Sequence, residues 1–382
     1  MLEDGAILSH NTMMKEKILS HDIVTSKKHF EILDGLRGVA ALAVVIFHFM
    51  EWIFTDPSKN FIGHGFLAVD FFFCLSGFVI GYAYDDRLPK MGAKSFFISR
   101  LVRLHPLVIL GSLLGFIAYL FDPFQSPPAT YTSGALFLLL LGSLFLIPLP
   151  LMEERAFNLF AFNAPSWSLF WEYVASLLYA VFLFRIGRRS LRLLTVIAAL
   201  LLGFVSYRAG NLLGGWAGSN FWDGGARVAY SFLAGLLIYR SNWIIKNRLG
   251  FAGLAILLSL AFILPWSKWN WILEAAIVII YFPLIVALGA GSHPAAATRR
   301  LCTLSGNISY PLYTTHYAAI WMFGNFYTST KPDPGQLTLV IIAGVIFLVI
   351  LAYVSMILYD LPVRKYLNRK RDGTNIGLNR NE

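Results

Sequence analysis

Two ionisable residues, Arg37 and His48, stand in the first long apolar run of the sequence. On a helix, 11 residues correspond to about 1100° of rotation, or three turns and about 20°. Both side chains therefore share one face, roughly 16 Å apart along the axis. Ionisable groups in lipid are costly and face a protein interior or a watery cavity, so this pair predicts a polar passage along the helix. An arginine near a helix end also serves as a snorkelling anchor, which a histidine cannot do. Glu172 enters the run that follows the 151–166 loop, about 9 Å below that helix end and at a depth like that of His48. A carboxylate beside an imidazole orients the ring, and the couple suits removal of a proton from an attacking hydroxyl. The competing reading of Glu172 is a partner for a buried cation. Arg100 and Arg103 share a helical face. Gathered with Arg37 at one mouth of the bundle, they would clamp phosphates bidentately, or form an ordinary basic loop. Tyr313 and His316 also share a face, as a second acid–base or substrate contact or as a hydrogen-bonded structural pair. Asp70 reads as polar support, with Arg227 a candidate partner.

Something apolar must hold these groups. The 382 residues are 57% hydrophobic and only 14% charged, with a mean hydropathy of +0.64. A soluble domain would carry about 25% charged residues. Apolar segments recur at 33–54, 64–85, 104–121, 133–150, 167–185, 191–207, 226–240, 249–265, 271–290, 305–325 and 336–359. The positive-inside rule tests how they alternate. If the basic N-terminal tail is cytoplasmic, the loop carrying Arg87, Lys90, Lys94, Arg100 and Arg103 falls inside. The next basic loop, Arg185 to Arg192, falls inside only if one segment between 104 and 185 fails to cross. The short 133–150 piece, ending Pro148-Leu149-Pro150, is the expected re-entrant or interfacial one. The fold expected is thus an all-α polytopic transmembrane bundle of about ten crossings. Residues 1–30 form a cytosolic N-terminal tail, 31–362 the membrane domain and 363–382 a basic cytosolic C-terminal tail. All but Lys59, Arg155, Arg208, Arg227, Lys268 and Lys331 of the 31 Lys and Arg residues then lie inside. The net charge of +10 is therefore an orientation signal, and no nucleic-acid partner is expected. Residues 1–30 show no cleavable signal pattern. Cys74 and Cys302 have no metal spacing and imply no disulfide framework.

Several stretches, in order, resemble the acyltransferase-3 family of integral membrane acyltransferases. Asp34-Gly35-Leu36-Arg37-Gly38 followed by His48 is similar to its opening signature. Asp70-Phe71-Phe72-Phe73-Cys74-Leu75-Ser76-Gly77 resembles its second helix, where Ser76-Gly77 also reads as a close-packing point between helices. Arg100-Leu101-Val102-Arg103-Leu104-His105-Pro106 resembles its arginine-rich third helix, with His105 a local departure. Trp167-Ser168-Leu169-Phe170-Trp171-Glu172 resembles its Trp-Ser-Leu-x-x-Glu motif, and Ser309-Tyr310-Pro311-Leu312-Tyr313-Thr314-Thr315-His316 its Ser-Tyr-x-x-Tyr-x-x-His segment. Asp360-Leu361-Pro362 is similar to its closing acidic residue and proline, and reads as a helix terminator. The likeness spans about 31–362.

The resemblance implies transfer of an acyl group, acetyl by expectation, from cytoplasmic acyl-CoA to a carbohydrate hydroxyl of a cell-surface or exported glycan. It places His48 as general base with Glu172 as its orienting partner, and Arg37, Arg100 and Arg103 on the donor. Asp34, Asp70, Trp167, Ser168, Tyr313 and His316 would support them. No metal and no tightly bound cofactor are expected, and the chain would be a multi-pass protein of the cell (inner) membrane with both termini cytoplasmic. Some relatives carry an extra C-terminal hydrolase-like domain, which is not expected here. The rival reading is a transporter of a lipid-linked glycan or small molecule, since ionisable groups along a channel are equally natural there. A non-catalytic receptor or scaffold would have no need of His48.

Overall fold

The computed structural model describes residues 29–125 and 131–378. The tail expected over 1–30 lies almost wholly outside them. The described residues contain helices, turns and loops and no β-strand, which is the all-α architecture expected. In chain order the helices are α1 (Glu31–Ile53), α2 (Ala68–Tyr84), α3 (Leu88–Leu120), α4 (Ser133–Phe145), α5 (Ser166–Val181), α6 (Arg188–Ala209) and α7 (Phe221–Arg240). They continue with α8 (Gly250–Leu260), α9 (Asn270–Ala276), α10 (Phe282–Gly291), α11 (Ala296–Thr330), α12 (Pro334–Ser355) and α13 (Leu361–Leu378).

Six stretches among the described residues are helical, long and apolar enough to cross a membrane: α1, α2 with its lead-in turn, α3, α6, α9 to α10, and α12 into α13. The protein is thus a multi-pass membrane protein. Helix α4 has 13 residues, about 20 Å of rise against a hydrocarbon core of about 30 Å, which matches its expected shortfall. Helix α8 is shorter still at 11 residues, about 17 Å of rise, so the 249–265 segment falls short of the crossing expected of it.

Helix α1 packs along α11, α2 along α7, and α3 against both α5 and α11. The α2–α7 contact is reciprocal. A Cβ at Gly77 would run into the Phe232 carbonyl, and one at Gly235 into the Cys74 carbonyl, so the backbones approach as closely as small residues allow. This is the close-packing role read for Ser76-Gly77. Across the same helices Asp70 forms a buried ion pair with Arg227, Nη2 to Oδ2 2.6 Å. Arg227 also donates to the carbonyls of Gly214 and Phe66 and stands 5.0 Å from the Trp167 ring centroid. The partner anticipated for Asp70 is the one it has. A buried charge survives in such a place because it is paired and fully hydrogen-bonded.

One expectation fails at the C-terminus. Asp360-Leu361-Pro362 does not end the last helix. A π turn at Met356–Asp360, closed by the Leu361 N–H on the Met356 carbonyl, carries α12 into α13. Pro362 has no N–H to donate, but it falls in the first turn of α13, where none is needed. The same device precedes Pro283, where a π turn at Ile277–Tyr281 leads into α10. Much of the segment read as a tail is therefore helix, and α13 lies against α3. Cys74 and Cys302 are buried and unbridged.

Candidate active site

The arginine end of α1 opens on a cavity of about 550 Å³ between α1, α2, α3, α5, α11 and the Met356–Asp360 turn. Arg37 from α1 and Arg100 and Arg103 from α3 all line it. The three-guanidinium cluster read from the sequence is thus assembled. A fourth, Arg364 of α13, joins them; its place depends on the helix continuing past Pro362. Three of the four have carboxylate partners: Arg37 with Asp34, Arg100 with Glu172, and Arg364 with Asp360 at 3.4 Å. Arg103 is exposed to the cavity.

Glu172 does not meet His48 in the way expected. Its Oε1 accepts from the Ser76 hydroxyl at 2.5 Å and from the Arg100 guanidinium. A permanent cation in a low-dielectric site competes for a carboxylate better than an imidazole does. Glu172 thus takes the alternative role weighed for it, partner of a buried cation, and closes the middle of the cavity.

At the far end the lining reaches Ser168 and Tyr313. Their hydroxyls are 2.7 Å apart, and Ser168 also donates to the Pro165 carbonyl at 2.9 Å. Beyond them stand the two imidazoles. The Tyr313 and His316 ring centroids are 6.0 Å apart, and His316 stacks on His48 at 5.3 Å with 26° between planes. His316 lies 3.1 Å through Nδ1 from the Leu312 carbonyl, and its Nε2 is buried without a hydrogen-bond partner. A carbonyl only accepts, so Nδ1 carries the hydrogen there and Nε2 presents the lone pair. His48 finds its carboxylate on its own helix: Nδ1 lies 2.7 Å from Glu51 Oε1. Tyr317 packs edge-on to the same ring at 5.0 Å. The spacing of three that puts Glu51 on the His48 face was present in the sequence, and reasoning from it missed this residue.

Two further imidazoles stand apart from this set. His105 packs edge-on to Tyr173, and its Nδ1 is buried without a partner. His64 is fully buried against Glu274, with Nδ1 3.1 Å from Oε1. It also stacks on Trp266. Among the described residues no group of three or more His, Cys, Asp or Glu could hold a metal ion.

A bundle of apolar helices enclosing an arginine-lined cavity that ends one aromatic layer short of a histidine–carboxylate couple defines a polytopic membrane protein with acid–base groups inside it. The family model of the acyltransferase domain of the acyltransferase-3 type matches residues 30–359, and the chain belongs to that family. It is accordingly an acyltransferase. "Protein 2 in picA locus" of Rhizobium radiobacter is 35% identical over 162 residues, 40% of this chain and 82% of that protein. A putative O-acetyltransferase of Staphylococcus aureus strain COL is 42% identical over 83 residues, 20% of this chain and 12% of that protein. The O-acetyltransferase OatA of Staphylococcus aureus strain NCTC 8325 is 23% identical over 373 residues, 89% of this chain; the chain spans 58% of its length. No solved structure matches the chain significantly.

Proposed function

We propose that the protein moves a short acyl group, acetyl by preference, from cytoplasmic acyl-CoA to a hydroxyl of a carbohydrate acceptor on the far side of the membrane. One observation carries this reading: the cavity lined by Arg37, Arg100 and Arg103 runs to Ser168 and Tyr313, one aromatic layer short of His48. The concentration of Lys and Arg at that mouth supports a cytoplasmic donor side. The staphylococcal relatives' names support an O-acetyl product.

In this mechanism His48 Nε2 takes the proton of the acceptor hydroxyl as its oxygen attacks the thioester carbonyl. The tetrahedral intermediate collapses with loss of CoA thiolate, and the imidazolium returns the proton to sulfur. Glu51, on Nδ1, holds the ring and balances the transient charge. His316 forms the face against which the ring is held. Tyr313 and Ser168 separate the two half-sites and must part for the thioester to reach His48.

The test uses the purified full chain in liposomes with acetyl-CoA and an oligosaccharide acceptor, reading ester formation and CoA release together. The wild type is expected to couple the two, and His48→Ala to lose about 10²–10⁴ in rate. Acylation by His48→Ala at the wild-type rate would remove His48 from the chemistry. Movement of unmodified acceptor without CoA release would indicate transport instead.

A further inference from the structure

Direct transfer needs two approaches to His48, because the acyl donor and the acceptor hydroxyl must both come within reach of one imidazole. The arginine cavity supplies one approach and ends short of the ring. His48 and Glu51 do not line that cavity, yet their side chains are 19% and 35% exposed. A carboxylate facing lipid is costly, so the second opening, beside Glu51, is a watery one. Helices α1 and α11 run past it side by side and in the same sense. Gly38 meets Ser305, His48 meets His316, and Trp52 meets Gly324, where a Cβ would run into the indole. His48 and Trp52 are four apart on α1, as Tyr317 and Trp321 are on α11, so each pair shares a helical face. The four rings make a ladder leading away from the arginine mouth. Its centroid steps are 5.0 Å from His48 to Tyr317, 6.2 Å from Tyr317 to Trp321 and 5.1 Å from Trp321 to Trp52. Trp52, Tyr317 and Trp321 are each half-buried, and none of them lines the arginine cavity.

The loop between α4 and α5 braces this ladder with a cation. Arg155 is 4% exposed, and its guanidinium carbon stands 3.9 Å from the Trp321 ring centroid and 5.4 Å from that of Tyr119. The group is seated on ring faces and not on a carboxylate, since Asp122 and Glu154 act on it only from beyond ion-pair distance. Shielded from water, a guanidinium holds an indole more firmly than at an open surface. A belt of tryptophans at the membrane interface is half-buried too. Such a belt needs neither a buried cation behind it nor a histidine–carboxylate couple at its inner end.

We propose that the Trp52–Trp321–Tyr317 ladder is the acceptor subsite. It takes one sugar ring of the carbohydrate, an apolar C–H face against the aromatic side chains and the reacting hydroxyl toward His48 Nε2. A pyranose has apolar faces and a hydroxylated rim, which aromatic walls with a few polar groups suit. Arg155 is a positioning residue: it fixes Trp321, which stands beside both Tyr317 and Trp52. This rests on the acyl-transfer reading above and adds to it the side chains that recognise the acceptor.

The test measures initial rates of CoA release by the purified full chain in detergent with added lipid. Acetyl-CoA and an oligosaccharide fraction released from the cell envelope are varied in separate series. Trp321→Leu is expected to raise the apparent KM for oligosaccharide about 10-fold or more and to leave that for acetyl-CoA unchanged. Arg155→Gln should move the same constant in the same direction. Arg155→Lys, which keeps a cation for the ring, should restore most of it. An oligosaccharide KM unchanged in both Trp321→Leu and Arg155→Gln overturns the assignment. So does an equal loss toward both substrates with a lower midpoint of unfolding, which makes the rings a support of the fold. A change confined to the dependence on lipid headgroup makes them an interfacial belt, and overturns it as well. A wild-type chain whose CoA release does not respond to oligosaccharide defeats the acyl-transfer reading itself, and the subsite with it.

Discussion

His48 has no headgroup region to reach for, so its neighbours decide what it can do. Glu51 holds Nδ1, His316 covers one face of the ring and Tyr317 abuts its edge, leaving Nε2 to act. Glu51→Gln keeps the hydrogen bond and removes the charge. Its kcat should fall on the order of 10-fold, less than the 10²–10⁴ expected for His48→Ala, with little change in the KM for donor. Glu172 belongs to a different account. Removing Arg100 strands its carboxylate among buried groups, so Arg100→Met should destabilise the protein by about 3–5 kcal/mol. Arg100→Met/Glu172→Met should recover much of that loss. Thermal unfolding of the three proteins in one detergent checks it, and a double variant no better than the single would show that the pair is not the cause.

At the level of helices, the site is positioned by how closely backbones approach. Gly77→Leu puts four carbons where α7 already lies and should cost about 1–3 kcal/mol, or prevent folding, read as a lower midpoint of unfolding. At the same contact Asp70 and Arg227 are both shut off from solvent. Asp70→Asn should therefore be more damaging than Asp70→Leu/Arg227→Met, since only the first leaves a guanidinium uncompensated. The π turns before Pro283 and Pro362 are the other device at this scale. Each absorbs a proline without breaking the run, and the second carries Arg364 to the cavity.

Among the described residues the chemistry is polar along one axis: Arg37, Arg100 and Arg103 gather at one mouth and the His48–His316 pair stands at the other end. That arrangement predicts sidedness. Inverted vesicles, with the cytoplasmic face outward, should consume added acetyl-CoA, while right-side-out vesicles should not until they are permeabilised. Equal consumption by both would contradict the donor side assigned here.

Helix content, membrane residence and the gathering of Arg37, Arg100 and Arg103 were legible in the sequence because they depend on local properties: apolar length, charge sign and residues three or four apart on a helix. Glu51 was legible for the same reason. The pairing of Glu172 was not, because a carboxylate's partner depends on which helices pack beside it and on competition between a fixed cation and an imidazole. His64 and Glu274, 210 residues apart, and Arg364, reached only because a π turn lets the helix outlast its proline, were likewise decided by the tertiary structure. Sequence sets which segments are buried and which charges they carry; only packing in a low-dielectric interior selects which of those charges neutralise one another.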